Sequence, residues 1–364
     1  MAFTAKDVVA LREKTGVGMM DCKKALVETD GDMDKAIEIL REKGLASAAK
    51  KASRVAAEGA VAAYNDGKAG AIVEINCETD FVAKGEPFVN LANSVAKTVA
   101  IANPADLEAL NATKIADGNN TVEEAVQEVF LALRENMKIR RFARVEGHAV
   151  TYIHAGGTVG VVVNFDTSDE IAAKPEFEVM GKDVAMQIAA MSPEYLAKED
   201  ISDEELAKLR NITVESALNK PDSLPAPILK DLIATACAEK RWSDADIAIY
   251  EEKKDNMKFL FNFLSEDAIP ALAAIAIEKK AEITANPIFA KVVDGRINKQ
   301  IKEICLLEQP FVKDDSMNVG RYISSVAHTL GGEIKAKEFV RFAKGEGIEK
   351  KQDDFAAEIA SMVK

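Results

Sequence analysis

The 364-residue sequence has little of the material from which catalytic and metal sites are usually built. It holds four cysteines, Cys22, Cys77, Cys237 and Cys305, and three histidines, His148, His154 and His328. No two cysteines stand at CxxC spacing, so neither a zinc ribbon nor a redox pair is indicated, and reduced thiols fit best. GxxxxGK[ST], HExxH, GxSxG and strand-anchored GxGxxG motifs are missing, which removes the common signatures of nucleotide, zinc and acyl-transfer chemistry. No apolar run reaches the roughly 18 residues that a bilayer span needs. The opening MAFTAKDVVALREKTG has no apolar signal core and is not rich in Arg and Ser as a transit peptide is, so a cytoplasmic protein without membrane contact is expected. Basic charge is also short. Lys and Arg total 47 against 60 Asp and Glu, a formal charge of -13, which repels a phosphate backbone and argues against direct nucleic-acid binding.

What is there is an ordinary folded composition, 48% hydrophobic and 29% charged, in a chain long enough for two or three domains. Near the N-terminus three short helical signals are separated by glycines. Thr4 and Asp7 stand as a capping box before Val8 and Leu11, and Thr15-Gly16 stops the helix. A second helix runs over about 20–28. Asp30-Gly31-Asp32 breaks it and caps a third, with Met33, Ala36, Ile37 and Leu40 at helical spacing. The result is a three-helix bundle of about 45 residues, small enough to be marginally stable alone. The Ala- and Lys-rich stretch 46–57 reads as a helical linker.

An internal duplication follows. Glu58-Gly59-Ala60-Val61, Tyr64, Gly70-Ala71-Ile72-Val73-Glu74-Ile75, Phe88, Val95-Ala96 and Pro104 are echoed by Glu146-Gly147-His148-Ala149, Tyr152, Gly160-Val161-Val162-Val163-Asn164-Phe165, Phe177, Val184-Ala185 and Pro193. Each copy reads as strand, turn, strand, loop and helix, so two related α+β subdomains are implied. From Lys198 to about Leu307 the pattern is almost wholly helical, with segments at about 226–240, 243–264, 272–284 and 288–306. These helices either pack on themselves or form an arm that dimerises or touches a partner. They interrupt the second subdomain, which a strand over 333–342 completes. A terminal amphipathic helix is expected over 353–363.

Few residues invite a chemical reading. Gly156-Gly157 lies between two strand signals and fits a hairpin turn better than a phosphate cradle. Cys77 fits a small buried hydrophobe better than a nucleophile, having no base near it in sequence. The stretch Thr79-Asp80-Phe81-Val82, just past a strand end, stands out. Either Phe81 folds back into the core while Asp80 caps a turn, or Phe81 projects as an anchor for a partner's pocket. The matching region of the second copy, 166–171, has no Asp-Phe pair, which favours the second reading.

Residues 11–26 (LREKTGVGMMDCKKAL) closely resemble the N-terminal signature of the elongation factor Ts family, and 74–84 (EINCETDFVAK) its second signature. The resemblance extends through Ile139-Arg140-Arg141, Tyr152 with His154, Gln309-Pro310-Phe311-Val312 and Gly345-Glu346-Gly347-Ile348-Glu349-Lys350. It implies an α+β fold: a ubiquitin-associated-like bundle (1–54), core subdomains (55–142, and 143–198 with 308–347), a helical coiled-coil insertion (199–307) and a C-terminal helical module (348–364). It also implies a guanine-nucleotide exchange factor with no covalent chemistry and no cofactor, which binds elongation factor Tu carrying GDP. In that family the bundle, here Arg12, Met19, Met20 and Lys23, docks on the partner's GTPase domain. Thr79, Asp80, Phe81 and Val82 would dislodge its magnesium ion, and His154 and Val312 would grip a distal domain. The stretch about 220–283 exceeds what shorter members carry, so a homodimer through this insertion and a lone helical excursion both stay open. The competing readings are an adaptor that uses the bundle to hold helical or ubiquitin-like partners, and an enzyme acting through Cys77.

Overall fold

The structure, a computed structural model, describes residues 3–51, 54–254 and 257–349. The chain divides into two compact units, Met1–Ser192 with Phe311–Lys364, and Pro193–Pro310. The helix expected over 353–363 lies outside the described residues, as does most of the 348–364 module.

Three helices lead: α1 (Ala5–Thr15), α2 (Met19–Glu28) and α3 (Met33–Lys51). The capping box forms, the Thr4 N–H donating to Asp7 Oδ2 at 2.6 Å. The third helix runs on through Gly44 into the stretch expected as a helical linker and ends at Lys51, while 54–57 is not helical. The first subdomain follows with β1 (Glu58–Asn65), β2 (Ala69–Cys77), α4 (Asp80–Ala83), α5 (Glu86–Ala102), α6 (Leu107–Ala112), α7 (Val122–Leu133) and β3 (Lys138–Glu146). The small bundle does not stand alone. Leu131 of α7 joins Leu11, Leu26 and Leu40 in its core, and Arg41 pairs with Glu128 of α7 at 3.1 Å. That contact supplies apolar burial that some forty residues cannot generate themselves.

The second subdomain begins with β4 (His148–His154), β5 (Val159–Asp166), α8 (Asp169–Ala172) and α9 (Pro175–Met191). After the inserted helices come β6 (Pro310–Phe311), β7 (Asp314–Asn318), α16 (Val319–Leu330) and β8 (Lys335–Ala343). Both main sheets are antiparallel and three-stranded, in the orders β1-β2-β3 and β4-β5-β8, so a strand from beyond the insertion completes the second. The short β6-β7 pair and α16 were not legible as elements in the sequence.

The duplication is visible in detail. Asn76 donates from its side-chain amide to the Glu58 carbonyl at 3.1 Å, and Asn164 does the same to Glu146 at 2.8 Å. The two sheets meet through Val61, Ile72, Val162 and Phe342. Glycine at 70 and 160 permits this close approach. A Cβ on Gly70 would stand 2.8 Å from that of Ala149, and one on Gly160 would stand 2.3 Å from Val61 Cγ1. With α5 on its other face, β2 is buried along its whole length.

One charge is buried there. Glu74 of β2, fully buried, accepts from Arg140 Nη1 (3.0 Å), Arg141 Nε (2.6 Å), Asn76 Nδ2 (3.1 Å) and the Gly345 N–H (2.8 Å). Burial pushes its pKa up, but the Gly345 N–H and the Arg141 and Arg140 guanidiniums outweigh that and hold the carboxyl below the usual glutamate range. The carboxylate thus ties β2 and β3 to the segment that follows β8.

The second unit contains α10 (Asp203–Leu218), α11 (Ala226–Ala238), α12 (Asp244–Lys253), α13 (Ala268–Glu278), α14 (Lys280–Ala285) and α15 (Pro287–Ile304), packed on one another around Leu218, Leu232, Leu272, Phe289 and Cys305. The helix expected over 243–264 ends early, at Lys253. The buried Asp246 carboxylate accepts from the Ser265 N–H (2.7 Å) and hydroxyl (2.8 Å), which draws the chain back on itself. Trp242 is buried beside it and donates to the Ala268 carbonyl at 2.9 Å.

Candidate functional site

The α4 turn is fixed from several sides. Thr79 is its N-cap, in extended conformation, its hydroxyl oxygen accepting from the Val82 N–H at 3.3 Å. The Thr79 N–H and hydroxyl in turn donate to the two oxygens of Glu135, at 3.0 and 2.7 Å. Val82 and Ala83 are buried in the core that Phe88 and Val95 share. With those two side chains turned inward on so short a helix, Phe81 points outward and is 84% exposed. Asp80 is exposed beside it and pairs with Lys84 at 2.7 Å. The Lys84 ammonium, by hydrogen bond and by charge, holds the Asp80 carboxyl below the usual aspartate range. Of the two readings of Phe81, folding back into the core does not occur.

The second copy shows what the fold itself requires here. Ser168 caps α8 by accepting from the Ile171 N–H at 3.3 Å, as Thr79 caps α4. Asp169 then stands where Asp80 stands, and buried Ile171 where Val82 does. Between them lies Glu170, exposed, in the place of Phe81. Cap, carboxylate and inward aliphatic are common to both copies, and the aromatic ring is not. An exposed phenyl ring costs hydration without adding to either core.

Cys77 is fully buried and its thiol donates to the Thr79 carbonyl at 3.1 Å. Burial, with the Glu135 charge behind it, pushes the thiol up to about 12. A thiol so disfavoured from ionising is a poor nucleophile, and its role here is to brace the turn.

The remaining residues singled out from the sequence fall into two groups. Arg12 lies exposed on α1, and Met19 (39% exposed), Met20 (65%) and Lys23 lie on the outer face of α2. The link between α1 and α2 is sharp because Gly16 caps α1 in the left-handed region, at φ 66°. His154 ends β4, exposed, with its Nδ1 2.9 Å from the Tyr152 hydroxyl. Val312, half-exposed, sits in the β6-β7 turn, its N–H donating to Gln187 Oε1 at 2.9 Å. On either side, Phe311 stacks on Tyr322 (centroids 4.1 Å apart), and Lys313 pairs with Asp183 at 2.6 Å. The sequence reading missed the supports of these groups. Lys84 had a signal, its i+4 spacing from Asp80. Glu135, Asp183 and Gln187 had none, each lying more than fifty residues from the group it holds.

The turn is braced and presents one aromatic ring to solvent, with no activated nucleophile near it among the described residues. The family model described as Elongation factor TS matches residues 78–241 and 249–346. An Elongation factor Ts of Symbiobacterium thermophilum is 42% identical over 364 residues, covering 98% of this chain and 97% of its own. Those of Clostridium perfringens (strain SM101) and Clostridium kluyveri (strain NBRC 12016) are 42% and 39% identical, with 99% of each chain covered. The chain belongs to the elongation factor Ts family. It is accordingly a translation elongation factor of protein biosynthesis, an exchange factor and not a catalyst of covalent chemistry.

Proposed function

We propose that this protein binds elongation factor Tu carrying GDP, disturbs the partner's magnesium site with the Asp80-Phe81 turn, and so releases the nucleotide. The observation that carries this reading is Phe81: an aromatic ring held in solvent by a turn whose every other side chain is buried, paired or capping. Such a ring meets a partner's pocket at little conformational cost, because the turn that carries it is already ordered.

In this reading Phe81 enters the GTPase domain and repacks the elements around its magnesium ion, with Thr79 and Val82 fixing the turn. The ion neutralises phosphate charge, so its displacement weakens GDP binding by electrostatics. The α1-α2 face, through Arg12, Met19, Met20 and Lys23, docks on the same domain. His154 and Val312 grip a distal domain, so that the thrust of Phe81 is delivered against a fixed base. No proton transfer and no metal held by this chain is called for.

Linkage supplies the test. If the factor lowers GDP affinity, GDP must lower the factor's affinity by the same ratio. Titrating the nucleotide-free complex with GDP should therefore weaken the factor's grip in step with the weakening of GDP. A factor whose affinity for elongation factor Tu is indifferent to GDP would rule the proposal out.

A further inference from the structure

We propose that Glu135 is a positioning residue for Phe81, and that the three-residue turn carrying it, 134–136, fixes the spacing between the Phe81 turn and the exposed face of α2. This deepens the exchange reading above and rests on it for its functional consequence, though not for its structural one.

The turn opens the four-residue link 134–137 between α7 and β3, and each of its residues holds a different part of the chain. The Arg134 guanidinium pairs with Asp21 of α2 at 2.9 Å, and the Arg134 carbonyl accepts from Lys51 Nζ at 2.5 Å. Glu135 takes both donors of Thr79. Asn136 donates its N–H to Glu78 Oε1 (2.7 Å) and its side-chain amide to the Arg54 carbonyl (2.9 Å), while Arg54 pairs with Glu78 at 3.2 Å. Asp21 is flanked by Met20 and stands two residues before Lys23. Thr79 stands two residues before Phe81. Three consecutive residues thus grip both groups of proposed contact residues close to their exposed side chains.

The backbone shows that this grip has a cost. Arg134 caps α7 in the left-handed region, at φ 61° and ψ 23°. Glycine is the residue that relieves that conformation, and helix ends of this kind usually carry it. Arg134 holds it without glycine's freedom, as Ser192 does at the end of α9. The Arg134 side chain is the one that reaches α2.

Holding two contact groups at a fixed spacing lets the second engage as an intramolecular event after the first. Loss of Glu135 frees the Phe81 turn. Loss of the Arg134 side chain frees α2 from the same mount.

The first test uses the free, full-length protein. In Glu135→Ala the amides of Thr79, Val82, Ala83 and Lys84 should exchange with deuterium ~10-fold faster or more, while those of β2 keep their protection. Glu135→Gln, which keeps an acceptor oxygen, should recover much of the difference. Unchanged protection over 79–84 in Glu135→Ala overturns the positioning role, whatever the function.

The second test follows GDP release from elongation factor Tu. Glu135→Ala should lower the maximal acceleration roughly 10-fold with little change in the factor concentration giving half of it, and should cost nothing further in a Phe81→Ala background. Losses that multiply across the two variants overturn the inference while leaving the exchange reading intact. Failure of the intact protein to accelerate release strikes the exchange reading instead, and hydrogen exchange still decides the positioning. Arg134→Gly relieves the backbone and removes the Asp21 pair, so it should raise the half-maximal concentration about 5-fold without lowering the melting temperature. A variant that binds as tightly as the intact protein overturns the spacing role.

Discussion

Phe81 and Glu170 hold the same place in the two copies of the repeat, each two residues after its capping residue and one before a buried aliphatic, yet one offers solvent a phenyl ring and the other a carboxylate. The comparison separates what the turn needs in order to form from what it presents.

Phe81→Glu should therefore fold. An exposed site of this kind moves stability by no more than about 0.5 kcal/mol in either direction, readable as an unchanged melting curve. Exchange should suffer heavily. Loss of an anchor of about 2 kcal/mol or more corresponds to roughly 30-fold slower release at a given factor concentration.

Gly16→Ala should act on the bundle. Its φ of 66° disfavours any Cβ, and the added Cβ would stand 3.0 Å from that of Ala132 on α7. A loss of about 1 kcal/mol is expected in a thermal melt. The factor concentration needed for half-maximal exchange should rise with it, because the α1-α2 face is displaced while the Phe81 turn is untouched.

Glu74 gives a pH dependence whose sign is fixed. Its carboxyl titrates below its usual value in the folded chain, so its contribution is present above the unfolded pKa and is lost as pH falls through the folded one. Glu74→Gln leaves part-buried Arg140 without its counter-charge and Arg141 with Glu346 alone, and should cost about 3 kcal/mol near pH 7. The gap in melting temperature between the two proteins should narrow as pH drops below about 4. A gap independent of pH would show that the carboxylate is not the stabilising form.

The cysteines offer a simple chemical check. Cys22, Cys77 and Cys305 are buried and Cys237 is partly exposed, and burial pushes all four thiols up. A thiol reagent near pH 8 should label Cys237 first and the others only on unfolding, and labelled protein should exchange nucleotide as before. Rapid modification of Cys77 with loss of function would revive the reading of that residue as a nucleophile.

Much of this molecule was legible in its sequence because the physics was local or repeated. The Thr4 box, the Gly16 stop and the helical spacing of Met33, Ala36 and Leu40 are signals written within a few residues of the structure they make. The two core sheets were legible through duplication, since Gly70 and Gly160 each precede an apolar run. What escaped was set by distance along the chain. The Asp246–Ser265 contact, which cuts short the helix expected over 243–264, joins two polar residues that look unremarkable apart. Glu135 lies 56 positions from Thr79, and nothing in either neighbourhood announces the other. Phe81 itself was ambiguous for a different reason: an aromatic after a strand reads equally well as core or as anchor until the inward places are seen to be filled by Val82 and Ala83.

The most direct measurement loads elongation factor Tu with a fluorescent GDP analogue, chases with excess unlabelled nucleotide, and follows release with and without this protein and its Asp80→Ala/Phe81→Ala form. The account predicts strong acceleration by the intact protein, largely lost in a double variant that circular dichroism shows to be folded. Equal acceleration by both proteins would contradict the role given to the turn, and no acceleration by folded, intact protein would contradict the exchange function itself.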